Sequence, residues 1–151
     1  MFASRKFIKI SFSICVFLLL VACSSGGGGT IQGEVGDPTP GKFVGTTSQG
    51  EQITLWVNEI GGKIVVTTIK YKIKMDADEW SVSVDLMQPA TRNMPIENGE
   101  FSGGDRSGNT VEEISGKFFG DNGAEGRLRC TNEHPQGLGT AVGDVTFVVH
   151  K

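Results

Sequence analysis

Apolar and polar residues alternate along most of the chain after Gly41, which is typical of short β-strands with one buried face. The clearest run extends from Lys63 to Lys74, where Ile69 and Tyr71 fall on one parity and Lys70 and Lys72 on the other. The same alternation between turn residues predicts further strands at Lys42 to Thr47, Gln52 to Asn58, Trp80 to Leu86, Val111 to Phe119, Gly126 to Thr131 and Gly143 to His150.

Helical spacing does not occur in these runs, since no stretch of about ten or more residues repeats apolar positions three and four apart. Asn58 to Gly62 and Gly120 to Gly123 carry glycines suited to the positive φ of hairpin connections. Gly103 to Asn109 lacks a phosphate-binding pattern and is predicted to be a flexible surface loop. We expect an all-β fold, an antiparallel β-sandwich or jelly-roll-like barrel of about seven to nine strands.

The amino terminus has a different pattern, that of a secretory signal. Arg5, Lys6 and Lys9 form a positive region ahead of the apolar run Ile10 to Val21. A membrane-spanning helix needs about 20 apolar residues. This run is too short to remain as a span, so the sequence predicts a cleaved signal helix.

The apolar run closes with Leu20-Val21-Ala22-Cys23, which resembles the lipobox of bacterial lipoproteins. The resemblance implies that residues 1–22 are removed, with Ala22 lost last, and that Cys23 carries diacylglycerol on its thiol and an acyl chain on its amino group. This covalent lipid is the only cofactor expected, and two or more chains attach a protein stably to a bilayer. An ordinary secretory signal that ends in cysteine is the alternative, but Cys23 directly follows the apolar run and precedes a Ser/Gly tether.

Three segments follow from these observations: a lipoprotein signal peptide at 1–22, a lipid anchor and linker at 23–41, and a β-domain at 42–151. The Gly/Pro-rich part of the linker, Gly26 to Gly41, argues against packed structure there. About 110 residues remain, which suffices for one domain with one core. The non-aspartate residue Ser24 after the anchor implies, by the same resemblance, export to the outer membrane, facing either the periplasm or the outside.

The net charge of the chain limits the kinds of partner that we expect. Three of the 14 Lys and Arg residues precede Cys23, but none of the 17 acidic residues does, so signal removal makes the chain more acidic. Nucleic-acid binding needs a clustered positive patch, and Lys70, Lys72 and Lys74 are interpreted as one face of a strand. The expected partners are the lipid bilayer, through the anchor, and an envelope protein or glycan.

Candidate chemistry in the β-domain is sparse. Cys130 has no partner for a disulfide once Cys15 is removed and Cys23 is lipidated, and it is predicted to be a buried core residue rather than a reactive or metal-binding thiol. Because Leu128 and Cys130 alternate with Arg127 and Arg129, the arginines should lie on the opposite face.

Metal and catalytic sites have little support. His134 and His150 lack zinc-site spacing, and Ser115 lacks a nucleophile elbow. Oxygen ligands for calcium could come from Asp76 and Asp78, or from Asp121 with its neighbour Asn122, but neither set has the EF-hand spacing. We therefore expect no metal site and no enzymatic activity.

The aromatic side chains available for stacking on a ligand are those of Trp56, Tyr71 and Trp80. Trp56, between Leu55 and Val57, is predicted to lie in the core, because large aromatic side chains are mostly buried. Trp80 lies beside acidic residues at a predicted strand start, and it is the candidate for an exposed, ligand-facing aromatic.

A second resemblance covers most of residues 42–131. The order Lys42-Phe43-Val44-Gly45, Asn98-Gly99-Glu100-Phe101-Ser102, Ile114-Ser115-Gly116-Lys117-Phe118 and Gly126-Arg127-Leu128 is similar to that of small exported bacterial β-domains with no assigned chemistry. Members often carry a second cysteine where this chain has Lys74 to Asp78, so the family disulfide does not carry over to Cys130. Each motif indicates a turn that leads into a strand, so Phe43, Phe101 and Phe118 should be buried.

Two functions remain. The first is a non-catalytic binding or structural module of the envelope, presented from the outer membrane. The second is a periplasmic enzyme inhibitor or accessory lipoprotein, although the chain lacks the S-G-x-x-Y type segment of lysozyme-inhibitor lipoproteins. An exposed aromatic patch would favour glycan binding, and a protruding loop with a Lys or Ser tip would favour inhibition.

Overall fold

The computed structural model describes residues 30–77, 81–88 and 93–151. The predictions for Ala22, Cys23, Asp78 and Trp80 lie outside these residues. Within them the chain forms nine β-strands and one 3-10 turn at Gly120–Asn122. The strands are β1 Gly41–Thr47, β2 Gln52–Ile60, β3 Lys63–Asp76, β4 Ser81–Gln88, β5 Met94–Pro95, β6 Glu100–Ser107, β7 Thr110–Phe118, β8 Ala124–Glu133 and β9 Thr140–His150.

All strand pairs are antiparallel, in the order β4-β3-β2-β1-β9-β8-β7-β6, with β5 added on β3. Two meanders, β1 to β4 and β6 to β9, are joined where β1 pairs with β9. The end of β3 extends beyond the β1–β2 turn and pairs directly with the start of β9, at Asp76 and Val142. The prediction of an all-β antiparallel fold is confirmed. No helix in the described residues is long and apolar enough to cross a membrane.

The core lies between the two meanders, where Tyr71 of β3 reaches Glu112 of β7 and Cys130 of β8. The three phenylalanines predicted to be buried are buried. The Phe118 ring packs against Phe43 at 5.1 Å between centroids and against Phe101 at 5.4 Å. On β8, Leu128 is buried and both neighbouring arginines are exposed, as the alternation predicts.

The predicted surface loop at Gly103 to Asn109 is wrong for most of its length. Gly103 to Ser107 belong to β6 and pair with Ile114 to Thr110 of β7. Glycine weakens a strand on its own, but the close approach of β7 favours it here, because a Cβ on Gly104 would lie 2.6 Å from the backbone carbonyl oxygen of Glu112. Ser107 to Thr110 form the turn into β7, with Gly108 at φ 58°. Packing between strands therefore overrides local propensity in this segment.

The two predicted hairpin turns agree more closely with the structure. Gly61 and Gly62 connect β2 to β3 at φ 60° and 76°, the conformation that the paired glycines predict. In the connection from β7 to β8, Gly120 and Gly123 carry the positive φ, at 56° and 138°. Asp121 and Asn122 instead lie in the 3-10 turn.

A β-bulge in β3 changes which residues face the core. Trp56 pairs with Thr68 and Val57 pairs with Val66, so Thr67 is the extra residue. From Ile69 onward the odd-numbered residues face the core, as the alternation predicts. Before the bulge the alternation is shifted by one residue, so that the even-numbered Val66 is buried. The Thr67 hydroxyl donates to the Trp56 carbonyl at 3.3 Å, which stabilises the bulge.

Residues 30–40, the N-terminal strap, are packed against the domain, contrary to the prediction for this segment. Ile31 and Pro38 are buried. The Gly36 amide donates to the Phe118 carbonyl at 3.0 Å, and the Gly36 carbonyl accepts from the Gly120 amide at 3.1 Å. The Asp37 carboxylate accepts from the Gly99 amide at 2.7 Å. The strap has little regular structure, yet long-range hydrogen bonds fix it to the turns beside β6 and β7.

The close approach of β1 to β9 requires glycine at position 45, because a Cβ there would overlap the carbonyl oxygen of Val148. We expect Gly45→Ala to lower the free energy of unfolding by about 1–3 kcal/mol through overpacking. Gly36→Ala is the matched control, since a Cβ at Gly36 has no neighbour within 4 Å. Urea unfolding of both variants measures the difference; equal stability would show that β1 and β9 lie further apart.

Candidate functional site

Three polar side chains meet inside the core: Tyr71 of β3, Glu112 of β7 and Cys130 of β8. Each is at most 2% exposed. The Tyr71 hydroxyl donates to the Glu112 carboxylate, and its oxygen lies 3.3 Å from the Cys130 sulfur. The predicted burial of Cys130 is confirmed. Glu112 was not predicted, although it shares the parity of Ile114 and Phe118 on β7, an inward position where an acidic residue signals a buried partner.

This buried cluster is not accessible to a ligand in the folded domain, because its three side chains are enclosed in the core. A buried carboxylate is costly unless it is hydrogen-bonded, and Tyr71 supplies that bond. Burial raises the pKa of the Tyr71 phenol, and the nearby Cys130 and Glu112 raise it further. The cluster therefore serves to fix β3 against β7 and β8.

Alkaline titration tests this environment. Tyr71 is the sole tyrosine of the sequence, so tyrosinate absorbance reports on it alone. Because the folded pKa is raised, Tyr71 contributes no pH dependence below the unfolded value of about 10. Above that pH, ionisation favours the unfolded chain, and stability should fall by about 1.4 kcal/mol for each pH unit. We expect tyrosinate to appear only as the protein unfolds; ionisation near pH 10 in the folded protein would contradict the burial.

A second candidate region contains Trp56 and several polar side chains. It is open to solvent and lies on the outward face of β2 and β3. Trp56 is half-buried there rather than in the core, so the prediction of a core position is wrong. Its neighbours Leu55 and Val57 enter the core, which turns the indole outward. The sequence carried this signal, because Trp56 has the parity of Gln52 and Asn58.

The Trp56 groove has a volume of about 400 Å³. Among described residues it is lined by Trp56, Asn58, Ile60, Thr67, Thr68 and Asn93. The Lys42 ammonium lies 5.6 Å from the centroid of the indole ring, within cation–π range. The Asn58 amide nitrogen donates to the Thr67 hydroxyl at 2.5 Å. The bulge therefore positions both an aromatic surface and an amide in the groove.

A larger concavity of about 1020 Å³ lies on the outward side of β6 to β9, the four-strand face. Two of its exposed cations are paired with acidic side chains of the neighbouring strand. Arg127 forms two hydrogen bonds to Asp144, and Lys117 lies 3.2 Å from Glu125. The hydrogen bonds from Arg127 hold the pKa of Asp144 below its ordinary value. These pairs are typical of a solvated sheet face.

Ser115 and the two histidines lie apart from one another. Ser115 is exposed on the four-strand face, opposite Ser102 and Arg127. His134 begins the β8–β9 loop, where its Nδ1 accepts from the Gln136 amide at 3.1 Å. The Nδ1 of His150 lies 3.1 Å from the Asn122 carbonyl oxygen. The structure brings no serine, histidine and acid together among these residues.

The calcium candidates are placed as follows. Asp76 is exposed at the end of β3. The Asp121 carboxylate accepts from the Thr39 amide and from the Lys151 ammonium, both at 2.9 Å. These bonds, from Lys151 first, lower the pKa of Asp121. An ammonium partner competes with a cation, so this carboxylate holds the strap rather than a metal. The described ranges contain no group of three or more His, Cys, Asp or Glu residues arranged to hold a metal ion.

Comparison of the chain with protein families, with curated proteins and with solved structures found no match.

Proposed function

We propose that this chain is an outer-membrane lipoprotein whose β-domain is a non-catalytic binding module that uses the Trp56 groove. The observation that carries the proposal is the outward placement of a half-buried indole in a groove with amide and hydroxyl side chains. Concave sites that combine an aromatic side chain with a few placed polar groups are typical of ligand recognition.

The anchor is proposed from the sequence Leu20 to Cys23. The position of the strap adds a geometric consequence. Ile31 is already packed against the domain, so the segment from Cys23 to Ile31 spans at most roughly 28 Å when fully extended. A lipid on Cys23 would therefore hold the strap end of the domain close to the bilayer.

Binding is favoured over catalysis by the location of the reactive side chains. Glu112 and Cys130 are buried in the core, and on the four-strand face Lys117 and Arg127 are paired with acidic side chains of the neighbouring strand.

The inhibitor alternative has less support, since the β8–β9 loop, residues 134–139, carries neither Lys nor Ser and exposes Leu138. Ser48 lies in the β1–β2 turn, but its hydroxyl accepts from the Thr146 amide of β9 at 3.3 Å. We therefore place recognition at a sheet face rather than at a loop tip.

Photo-cross-linking in intact cells tests the proposal. A photoreactive residue replaces Thr68, in the groove, or Thr131, on the outward side of β8 as a matched control. We expect a discrete adduct with an envelope component at Thr68 and none at Thr131. Adducts of equal yield at both positions, or no adduct at Thr68, would overturn the proposed binding surface.

A further inference from the structure

We infer that the Trp56 groove binds a carbohydrate chain that carries carboxylate groups, such as a polymer of uronic acids. The inference rests on the proposed binding function and specifies its ligand. Three features of the groove lead to it: the indole, the fixed amide and hydroxyl groups, and the Lys42 ammonium over the ring.

The indole sets the shape of the ligand. An outward-facing tryptophan offers a flat apolar surface with a polar N–H at one edge, which matches the C–H face of a pyranose ring. The exposed apolar area near it is small: Ile60 is 46% exposed at the end of β2, whereas Thr68 and Asn58 are polar. A protein partner that buried its own apolar anchors would need a larger apolar patch than these residues provide.

The polar side chains at the edge of the indole suit hydroxyl groups. The amides of Asn58 and Asn93 and the hydroxyl of Thr68 each offer both donors and acceptors, and sugar hydroxyls need both. Asn58 is held in place by its bond to Thr67, at the bulge. The groove therefore has a partly preorganised hydrogen-bonding edge beside its aromatic surface, which lowers the entropic cost of binding.

The charge beside the groove selects an anionic sugar. Lys42 lies against the indole, and Lys70 lies on the same face, opposite Thr54 in the strand next to it. No acidic side chain lines the groove in the described part of the chain. A sugar that stacks on this ring would displace the Lys42 ammonium to the ring edge, where a carboxylate of the sugar would pair with it. A neutral sugar would displace the ammonium without such a pair.

The test uses the full chain, purified in detergent, on an array of oligouronates of several linkages, their methyl esters and neutral malto-oligosaccharides. We expect binding to at least one oligouronate and at least about tenfold weaker binding to its methyl ester, which keeps the ring and removes the charge. Trp56→Ala should weaken oligouronate binding by roughly tenfold or more, and Trp56→Phe, which preserves packing, by less.

Lys42→Gln should abolish the preference for the acid over the ester, whereas Lys74→Gln, on the same strand face but far from the groove, should not. Binding only to neutral sugars, binding unaffected by Trp56→Ala, or no binding on the array would overturn the inference. If a protein adduct at Thr68 accompanied an empty array, the ligand assignment would fall while the binding module would stand. Failure of both experiments would reject the two proposals together.

Discussion

Replacing Cys23 by alanine is expected to move the protein from the membrane pellet to the soluble fraction and to abolish incorporation of labelled fatty acid. Only a thiol can form the thioether to diacylglycerol, so alanine removes the attachment itself. Acyl chains contribute about 0.8 kcal/mol for each buried CH₂ group. The expected change in membrane partitioning therefore spans several orders of magnitude, more than any single contact in the domain provides.

Cys15→Ala is the matched control, since Cys15 lies in the predicted signal and not in the lipobox. This variant should be lipidated and should sediment with membranes like the wild type. Sedimentation and labelling that survive in Cys23→Ala would mean that Cys23 is not the anchor. Labelling lost in both variants would point to a failure of export rather than of lipid attachment.

Phe118→Ala is expected to lower the free energy of unfolding by about 3–5 kcal/mol, the range for truncation of a buried phenylalanine. Phe118 is fully buried, and its ring contacts both Phe43 and Phe101. Phe43 belongs to β1 in the first meander, whereas Phe101 and Phe118 belong to β6 and β7 in the second. The three rings therefore hold the two meanders together. The cavity left by alanine would be filled poorly, because both neighbouring rings belong to paired strands.

Urea denaturation followed by circular dichroism measures this loss. Val142→Ala provides the control, because Val142 is 40% exposed and surface substitutions usually change stability by about 0.5 kcal/mol or less. A loss below about 1 kcal/mol for Phe118→Ala would contradict the position of the ring cluster at the centre of the core.

The sequence predicted where a strand lies, and which of its residues face the core, wherever one face of that strand is clearly apolar. On β8 the alternation of Arg127, Leu128, Arg129 and Cys130 specifies both faces, because a strand has period two. The burial of Phe101 and Phe118 was predicted from the turn ahead of each strand, because a large aromatic side chain that follows such a turn usually enters the core. Bounds differ by a few residues, since strands extend as far as a neighbouring strand offers hydrogen bonds.

Features that depend on distant partners were not predictable in this way. Gly103 and Gly104 lie in a strand because β7 pairs with them, and the strap is ordered by amides of Gly99 and Gly120 far along the chain. The position of Trp56 is a different case. Its parity with Gln52 and Asn58 indicated an outward indole, and the average burial of tryptophan gave the wrong answer.

Nuclear magnetic resonance of the isotope-labelled full chain, mixed with solubilised envelope extract, tests most directly whether the Trp56 groove is the binding surface. We predict that chemical-shift changes concentrate on the Trp56 indole, Thr68 and Asn93, and that the amides of Ser102 and Ser115 on the four-strand face stay unchanged. Changes confined to the four-strand face, or a spectrum that the extract leaves unaltered, would contradict the proposal.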